Sequence, residues 1–305
     1  MLSRTAIEAL RSLSCRELMQ RALDVKLAHR GKKISLCSII NAKSGHCSED
    51  CRFCTQSVHF QTDTPTYPLK KNEEIVAAAR QAKEDGATHF SIVTSGRGVT
   101  PALLSRVCET IAAIRDQLDI HVCASLGIAG LDDFRRLKEA GLSRYHHNLE
   151  ASKEFFAHVV TTHSFAERVD TIRAAQQAGL EVCAGGIIGL GENEEDRISM
   201  AITLAELGVD SVPLNILIPL PGTPLEKIEP LSINEILRAI ALFRLILPNI
   251  PLRLAAGRES ALGDFLGAAF MAGADGMMVG GYLTQRGRSP EADRLFIESV
   301  RRLWG

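Results

Sequence analysis

Short runs of apolar and β-branched residues alternate along the chain with longer segments of helical periodicity. Eight runs are predicted as strands, at 33–40, 88–95, 119–126, 144–150, 180–188, 211–218, 251–256 and 276–281. Between them lie amphipathic segments such as "NEEIVAAARQAKEDG" and "FAERVDTIRAAQQAG", which end in glycine as helix C-caps do. Eight strands with intervening helices favour a (β/α)8 barrel of TIM type, an α/β fold; a doubly wound open sheet is the alternative.

The same pattern indicates the domain organisation. Residues 1–32 read as an N-terminal helical extension, and residues 33–290 contain the predicted barrel. No Pro/Ser-rich linker, low-complexity segment or repeat beyond the βα period interrupts the pattern. We therefore predict a single domain over 1–305.

Composition and charge narrow the class of protein. A formal net charge of -1 over 305 residues argues against a nucleic-acid-binding surface. No apolar run approaches the roughly 18 residues of a membrane span, and the N-terminus lacks the apolar stretch of a signal peptide. These features predict a cytoplasmic protein in a reducing compartment, where clustered cysteines more often bind metal than form disulfides.

Three of the eight cysteines are clustered in "INAKSGHCSEDCRFCTQS", where Cys47, Cys51 and Cys54 have the spacing C-x3-C-x2-C. A disulfide is disfavoured by the compartment, a structural zinc site lacks a fourth ligand at familiar spacing, and a redox dithiol leaves Cys47 unexplained. A [4Fe–4S] cluster held by three thiolates fits best, because the open iron can then bind a substrate or cofactor. Cys15 and Cys108 lie on predicted helices and are expected to be small core residues.

The motif "CSEDCRFC", with the aromatic Phe53 before its last cysteine, resembles the signature of radical S-adenosylmethionine (SAM) enzymes. In that superfamily the open iron binds the methionine amino and carboxylate groups of SAM. The reduced cluster cleaves SAM to a 5'-deoxyadenosyl radical that abstracts hydrogen. The resemblance thus implies that the missing fourth ligand is the cofactor.

Motifs along the rest of the chain resemble the biotin synthase family. They are "YHHNLEAS", "VCAGGIIGLGE", "VPLNIL", "GTPLE", "RLAAGRES" and "FMAGAD", and with the cysteine motif they extend over about residues 33–290. The resemblance implies that the small molecule dethiobiotin is the substrate and that sulfur comes from an auxiliary iron–sulfur cluster inside the barrel. It further implies a homodimer and an electron donor such as flavodoxin or ferredoxin.

The resemblance also suggests ligands for the auxiliary cluster. Cys123 and Cys183, on the third and fifth strands, match two cysteine ligands, and Arg253 matches the family's arginine ligand. The better-known family pattern has a third cysteine where this chain has Ser91, and serine where this chain has Cys37. We expect Cys37 to replace the lost ligand, and the auxiliary cluster to be [2Fe–2S] or a larger, sulfide-rich four-iron cluster. The alternative for Cys37 is a small core residue.

The positions that match SAM and substrate contacts lie at predicted strand ends. Asn148 and Glu150 match residues that contact SAM, and Ile187 matches a residue that packs on its adenine. Asn148, Asn215 and Lys43 match contacts to the substrate, although Lys43 is also explained as a solvated loop residue.

One position at these strand ends departs from the family pattern. His146 stands where the family often has Asn, which changes one expected dethiobiotin contact. His146 and His147 point to opposite faces of a strand, so they are not expected to bind one ion together.

Three alternatives remain. Other barrels of the same superfamily, related to hydrogenase maturases or methylornithine synthase, lack the set formed by Cys123, Cys183 and Arg253. A non-catalytic iron–sulfur protein needs no adenine pocket, whereas residues 185–192 resemble one. A zinc-binding module is disfavoured by the cysteine spacing.

Overall fold

A computed structural model describes residues 4–281 and 287–302; the remainder of the predicted unit 1–305 lies outside the described residues. The strands are β1 (Ser35–Lys43), β2 (His89–Thr94), β3 (His121–Ser125), β4 (Arg144–His146), β5 (Glu181–Cys183), β6 (Gly186–Ile188), β7 (Val212–Ile216), β8 (Leu252–Leu254) and β9 (Gly276–Met278). All their pairings are parallel, and the sheet order is β5-β4-β3-β2-β1-β9-β8-β7-β6.

The two ends of this sheet meet within one predicted strand. Residues 180–188 were expected to form a single strand, but they form β5 and β6, separated by Ala184 and Gly185. A bridge from Cys183 to Ser211 joins β5 to the residue just before β7. A bridge from Glu150 to Gly186 joins β6 to the segment that follows β4. The sheet therefore curls into the predicted (β/α)8 barrel, and the open doubly wound alternative is wrong.

Close backbone contact explains the break between β5 and β6. A Cβ atom on Gly185 would stand 1.9 Å from the carbonyl oxygen of Pro213. Only glycine permits two backbones to approach so closely. The barrel closes at this point because Gly185 has no side chain.

Helices cover the outside of the barrel. They are α1 (Arg4–Arg11), α2 (Cys15–Arg30), α3 (Asn72–Glu84), α4 (Pro101–Gln117), α5 (Leu131–Ala140), α6 (Phe165–Gln177), α7 (Glu194–Leu207), α8 (Ile233–Ile246), α9 (Arg258–Leu262), α10 (Leu266–Met271) and α11 (Pro290–Arg302). Several begin with a reciprocal cap: at α8, Ser232 accepts from the Glu235 N–H, and the Glu235 carboxylate accepts from the Ser232 N–H. Cys15 and Cys108 lie on α2 and α4, as predicted.

The N-terminal helix α2 is part of the packed structure. Its Lys26 is fully buried and donates from Nζ to the carbonyl oxygen of Phe270 on α10 over 3.1 Å. Arg30 at the end of α2 makes a 2.6 Å ion pair with Asp275, which Arg244 of α8 also approaches. These contacts anchor the helix against the barrel wall. Within residues 4–281 and 287–302, no helix is long and apolar enough to cross a membrane.

Candidate active site

The three clustered cysteines lie on a long loop that follows β1. Cys47 N–H donates to the carbonyl of Gln56 over 3.0 Å, and Val58 N–H donates to the carbonyl of Cys47 over 2.8 Å. A further bond runs from Cys54 N–H to the carbonyl of Cys51 over 2.9 Å. Backbone bonds thus hold the loop in a folded-back shape and fix the three thiols relative to one another.

Side chains within the motif tie this loop to the barrel. Asp50 accepts from the backbone N–H groups of Thr161 and Thr162 over 2.9 and 3.2 Å. Burial raises the pKa of Asp50, but the bonds from these two threonines outweigh it and lower the pKa to about 2. The Asp50 carboxylate is therefore a permanent anchor at neutral pH.

Two of the three clustered cysteines, Cys51 and Cys54, are thiols in a buried environment. Burial raises the pKa of Cys51 strongly and that of Cys54 to about 11, and neither forms a disulfide. A buried thiolate needs a cation or metal to stabilise it, and sulfur donors suit iron–sulfur clusters. Among the described side chains, no three His, Cys, Asp or Glu residues are placed to hold a metal ion. Thiolates that bind separate irons of a cluster need not converge on one point, so this arrangement does not argue against a cluster.

A cavity of about 450 Å³ opens beside this loop at the carboxyl ends of the strands. Such a volume suits a small-molecule ligand. The predicted site residues that line it are Cys47, Cys51, Phe53, Cys54, His146, Asn148, Glu150, Ile187 and Asn215. Most positions predicted for the cluster, for SAM and for the substrate therefore lie around one cavity, although they come from four separate segments of the chain.

Asn148 and Glu150 form one rigid corner of the cavity. The Asn148 side chain accepts from the Gly185 N–H over 3.2 Å and donates to Glu150 over 3.3 Å. Glu150 has a positive φ of 69°, a conformation that non-glycine residues adopt only where the surroundings enforce it. Burial raises the pKa of the Glu150 carboxyl, and Arg168 opposes that effect.

Asn215, Ile187 and Lys43 have different surroundings. The Asn215 amide donates to the Gly186 carbonyl over 3.2 Å and accepts from the Ala256 N–H over 3.1 Å, which leaves one N–H for a ligand. Ile187 belongs to a small apolar cluster that includes Leu190 and Leu217. Lys43 ends β1, is partly exposed, and extends its ammonium group toward Gly96 on the cavity wall.

A second group of predicted residues lies deeper in the barrel. Cys37, Cys123, Cys183 and Arg253 are all buried, with relative exposures of 7%, 0%, 2% and 5%. Burial lowers the pKa of Arg253, but the Cys37 and Cys183 sulfurs outweigh it and raise the pKa; Arg253 also has a side-chain hydrogen bond with Cys37. Burial raises the pKa of Cys123 to about 12. We refer to these four residues as the cysteine chamber.

The sheet order explains why these four side chains meet. Their strands β5, β3, β1 and β8 are every second strand around the barrel. Alternate strands of a TIM-type barrel contribute the four side chains of one interior layer. Ser91 lies on the intervening strand β2, where its register partners are Ile39 and Cys123.

The two adjacent histidines occupy separate surroundings. His146 Nδ1 lies 3.4 Å from the Ser91 hydroxyl, and burial lowers the His146 pKa to about 3. His147 instead stacks on Tyr145, with ring centroids 6.3 Å apart. The two rings thus have different neighbours, although both histidines line the cavity.

Arg168 is a cavity residue that no sequence motif predicts. This residue of α6 lines the cavity, donates from Nη1 to the Asn148 carbonyl over 2.8 Å, and is the main cation acting on Cys51. Its neighbour His163 accepts from Arg168 Nε over 3.1 Å and bonds through its other nitrogen to Glu49. Nothing in "FAERVD" distinguishes Arg168, because arginines on amphipathic helices are usually solvent-exposed. Only the position of Glu49 inside "CSEDC" hinted at such a network.

Two family models match this chain. Residues 42–204 match the radical SAM superfamily, and residues 213–300 match the Biotin and Thiamin Synthesis associated domain. A biotin synthase of Pelotomaculum thermopropionicum is 50% identical over 285 residues, which are 93% of this chain and 89% of that protein. The chain belongs to the biotin synthase family of radical SAM enzymes. A family member from Heliobacterium modesticaldum is 52% identical over 276 residues, 90% of this chain and 85% of its own.

Solved structures of lower identity share the fold. The methylornithine synthase PylB superposes with a TM-score of 0.85 at 21% identity, and the match covers 98% of this chain and 93% of PylB. The hydrogenase maturase HydG from Carboxydothermus hydrogenoformans gives 0.82 at 21% identity, with 96% and 73% covered. These matches support the barrel architecture. The family itself implies a [4Fe–4S] cluster, SAM and an auxiliary cluster as cofactors.

Proposed function

We propose that this protein converts dethiobiotin to biotin by radical SAM chemistry. One observation carries the proposal: two separate sets of three cysteines lie at two depths of one barrel, with a ligand-sized cavity beside the outer set. An enzyme that needs only to cleave SAM requires one set. When bound, the [4Fe–4S] cluster with SAM supplies the hydrogen-abstracting radical, and the auxiliary cluster supplies the sulfur.

The cavity residues are proposed to orient SAM. Cys47, Cys51 and Cys54 hold the [4Fe–4S] cluster, and Asn148 and Glu150 offer an amide and a carboxylate to polar groups of the cofactor. Ile187 provides an apolar wall for adenine, since it packs with Leu190 and Leu217. Phe53 packs against the same group of apolar side chains. Such a wall excludes water from reactive species.

We propose that the substrate lies between the two sets of thiols. Asn148 and Asn215 provide amide groups at the cavity wall, Lys43 a cation at its rim, and His146 a neutral imidazole. The hydrogen bonds that already fix both asparagine amides would let them bind a polar ring without losing side-chain freedom.

For the auxiliary cluster, the proposed ligands are Cys37, Cys123, Cys183 and Arg253. Cys37 lies in the same interior layer as the other three because β1 belongs to the alternate strands that form that layer. Arg253 contributes a cation within reach of the Cys37 sulfur. Cys37 thus supports a three-thiolate set despite the serine at position 91.

The remaining elements of the proposal concern organisation. We propose one domain, 1–305, since strands from both matched segments join one sheet. We further propose that the protein is a homodimer in the cytoplasm. A flavodoxin or ferredoxin is the proposed electron donor. Sedimentation of the anaerobic holoprotein tests the dimer.

An anaerobic single-turnover assay tests the reaction. Protein reconstituted with iron and sulfide is mixed with dithionite, SAM and dethiobiotin, and products are followed by mass spectrometry. We expect biotin together with 5'-deoxyadenosine from the unmodified protein and from Cys15→Ala, and neither product from Cys51→Ala. Formation of 5'-deoxyadenosine without biotin would reject dethiobiotin as the substrate.

A further inference from the structure

A second arginine contacts the cysteine chamber from β4. Arg144 lies on the strand between those that carry Cys123 and Cys183, and its register partners are Cys123 and Glu181. Its side chain is only 8% exposed. Because register partners on parallel strands lie side by side on one face of the sheet, Arg144 lies next to Cys123 of the chamber.

Only part of this guanidinium has a partner. Nε and Nη2 donate to one oxygen of Glu181 over 2.9 and 2.6 Å, and that carboxylate is 53% exposed. The third nitrogen, Nη1, is buried without a hydrogen-bond partner in the part of the chain that the structure describes. A buried donor of a charged group without an acceptor carries a desolvation cost.

Two more nitrogens around the chamber share this condition. Arg253 Nε and His146 Nε2 are buried and also lack partners among the described residues. His146 lies two residues after Arg144 on the same face of β4. Around the chamber, two buried guanidinium groups and one imidazole thus have nitrogens without partners in the described part of the chain, so the chamber suits an anionic group with several acceptor atoms.

We propose that Arg144 is a cofactor-binding residue of the auxiliary cluster: its Nη1 would donate to an anionic acceptor of that cluster, while Glu181 holds Nε and Nη2. The inference rests on the proposed function, because it requires the auxiliary cluster in the cysteine chamber. It adds a second guanidinium to the one at Arg253. The alternative is that Arg144 only forms an ion pair with Glu181 at the start of β5 and does not contact the auxiliary cluster.

Three variants separate these possibilities. Arg144→Gln removes the charge, Arg144→Lys keeps the charge but not the planar fork, and Glu181→Gln removes the negative charge of the partner while leaving Arg144 in place. The holoproteins are compared by iron and sulfide content, by the rate of auxiliary-iron loss to a chelator, and by anaerobic redox titration of the auxiliary cluster. The cluster at Cys47, Cys51 and Cys54 is the internal reference.

We expect Arg144→Gln to lose auxiliary iron about tenfold faster, the scale of other outer-shell changes at metal sites. Its auxiliary cluster should also have a lower reduction potential, because loss of a nearby cation disfavours added negative charge. Arg144→Lys should keep the potential and lose iron faster, and Glu181→Gln should resemble the unmodified protein more closely than either.

An unchanged potential and rate of iron loss in Arg144→Gln would reject the inference and leave the ion-pair role. If that variant fails to fold, an iron-loss rate in Arg144→Lys equal to that of the unmodified protein rejects it. Unmodified protein that binds only one cluster would instead reject the proposed function, so the two failures are distinguishable.

Discussion

Arg168 Nη1 donates to the carbonyl oxygen of Asn148 over 2.8 Å, which joins helix α6 to the strand end that carries two predicted SAM contacts. His163 bonds to Arg168 Nε and to Glu49, a residue between the first two cluster cysteines. A single chain of hydrogen bonds therefore runs from the cysteine loop to the cavity wall. These hydrogen bonds hold the Arg168 guanidinium at the cavity that Cys51 also lines. They use Nε and Nη1 of Arg168 but not Nη2.

Arg168→Gln should weaken SAM binding. The substitution removes the cation that lies beside Cys51 and Glu150, so an anionic carboxylate of the cofactor loses a charge-assisted bond of about 1.5–3 kcal/mol, or roughly tenfold to a hundredfold in affinity. Calorimetric titration of the reconstituted protein with SAM measures this change. Arg173→Gln, an exposed position on the same helix, is the matched control. Equal SAM affinities for the two variants would show that Arg168 does not contribute to SAM binding.

Cys37→Ala should lower the auxiliary iron content while the [4Fe–4S] cluster remains. The reason is that Cys37 is the third thiol of the cysteine chamber, whereas Ser91 is a poor iron ligand. Iron and sulfide counts with Mössbauer spectra measure the outcome. Cys108→Ala, which removes a partly exposed helical thiol, should leave both clusters intact. Auxiliary iron retained in Cys37→Ala would show that Cys37 is a core residue.

Gly185→Ala should destabilise the barrel severely. The added Cβ would meet a backbone oxygen at 1.9 Å, and a backbone atom of a central strand cannot move aside cheaply. Gly267→Ala is the control, because no atom lies within 4 Å of its Cβ position and alanine favours the helix by about 1 kcal/mol. Urea unfolding of the apoproteins should give opposite signs for the two changes; equal stabilities would contradict the close approach.

Lys26 should make stability depend on pH in the alkaline range. Burial lowers its pKa from 10.5 to about 8, with Asp275 opposing. Between these values the unfolded chain binds a proton that the folded chain does not, so the free energy of unfolding rises with pH. The contribution is about 3 kcal/mol over the window.

The measurement is urea unfolding of apoprotein under reducing conditions from pH 7.5 to 10.5. Thiol titrations occur in every variant and cancel in the difference between unmodified protein and Lys26→Met. Lys227→Met, at a position with a 91% exposed side chain, should reproduce the unmodified pH profile. A Lys26→Met profile parallel to that of the unmodified protein would refute the buried-charge explanation.

Local pattern alone was sufficient to predict much of the molecule. The βα period predicts the barrel because side-chain periodicity reports which face of each element is buried. The spacing of Cys47, Cys51 and Cys54 predicts the cluster because one short loop supplies all three thiols. The local pattern did not predict the break between β5 and β6. That break depends on the close approach of Gly185 to Pro213, a residue distant in sequence.

Only the tertiary structure decided which distant residues share a layer. Cys37 joins Cys123 and Cys183 through the alternation of strands around a closed barrel, a relation that sequence distance does not report. Arg168 and Arg144 resemble ordinary surface arginines in the sequence. The fold places Arg168 at the cavity and buries Arg144 beside Cys123. Local residue order specifies elements and ligand spacing, whereas barrel closure determines which charges are buried together.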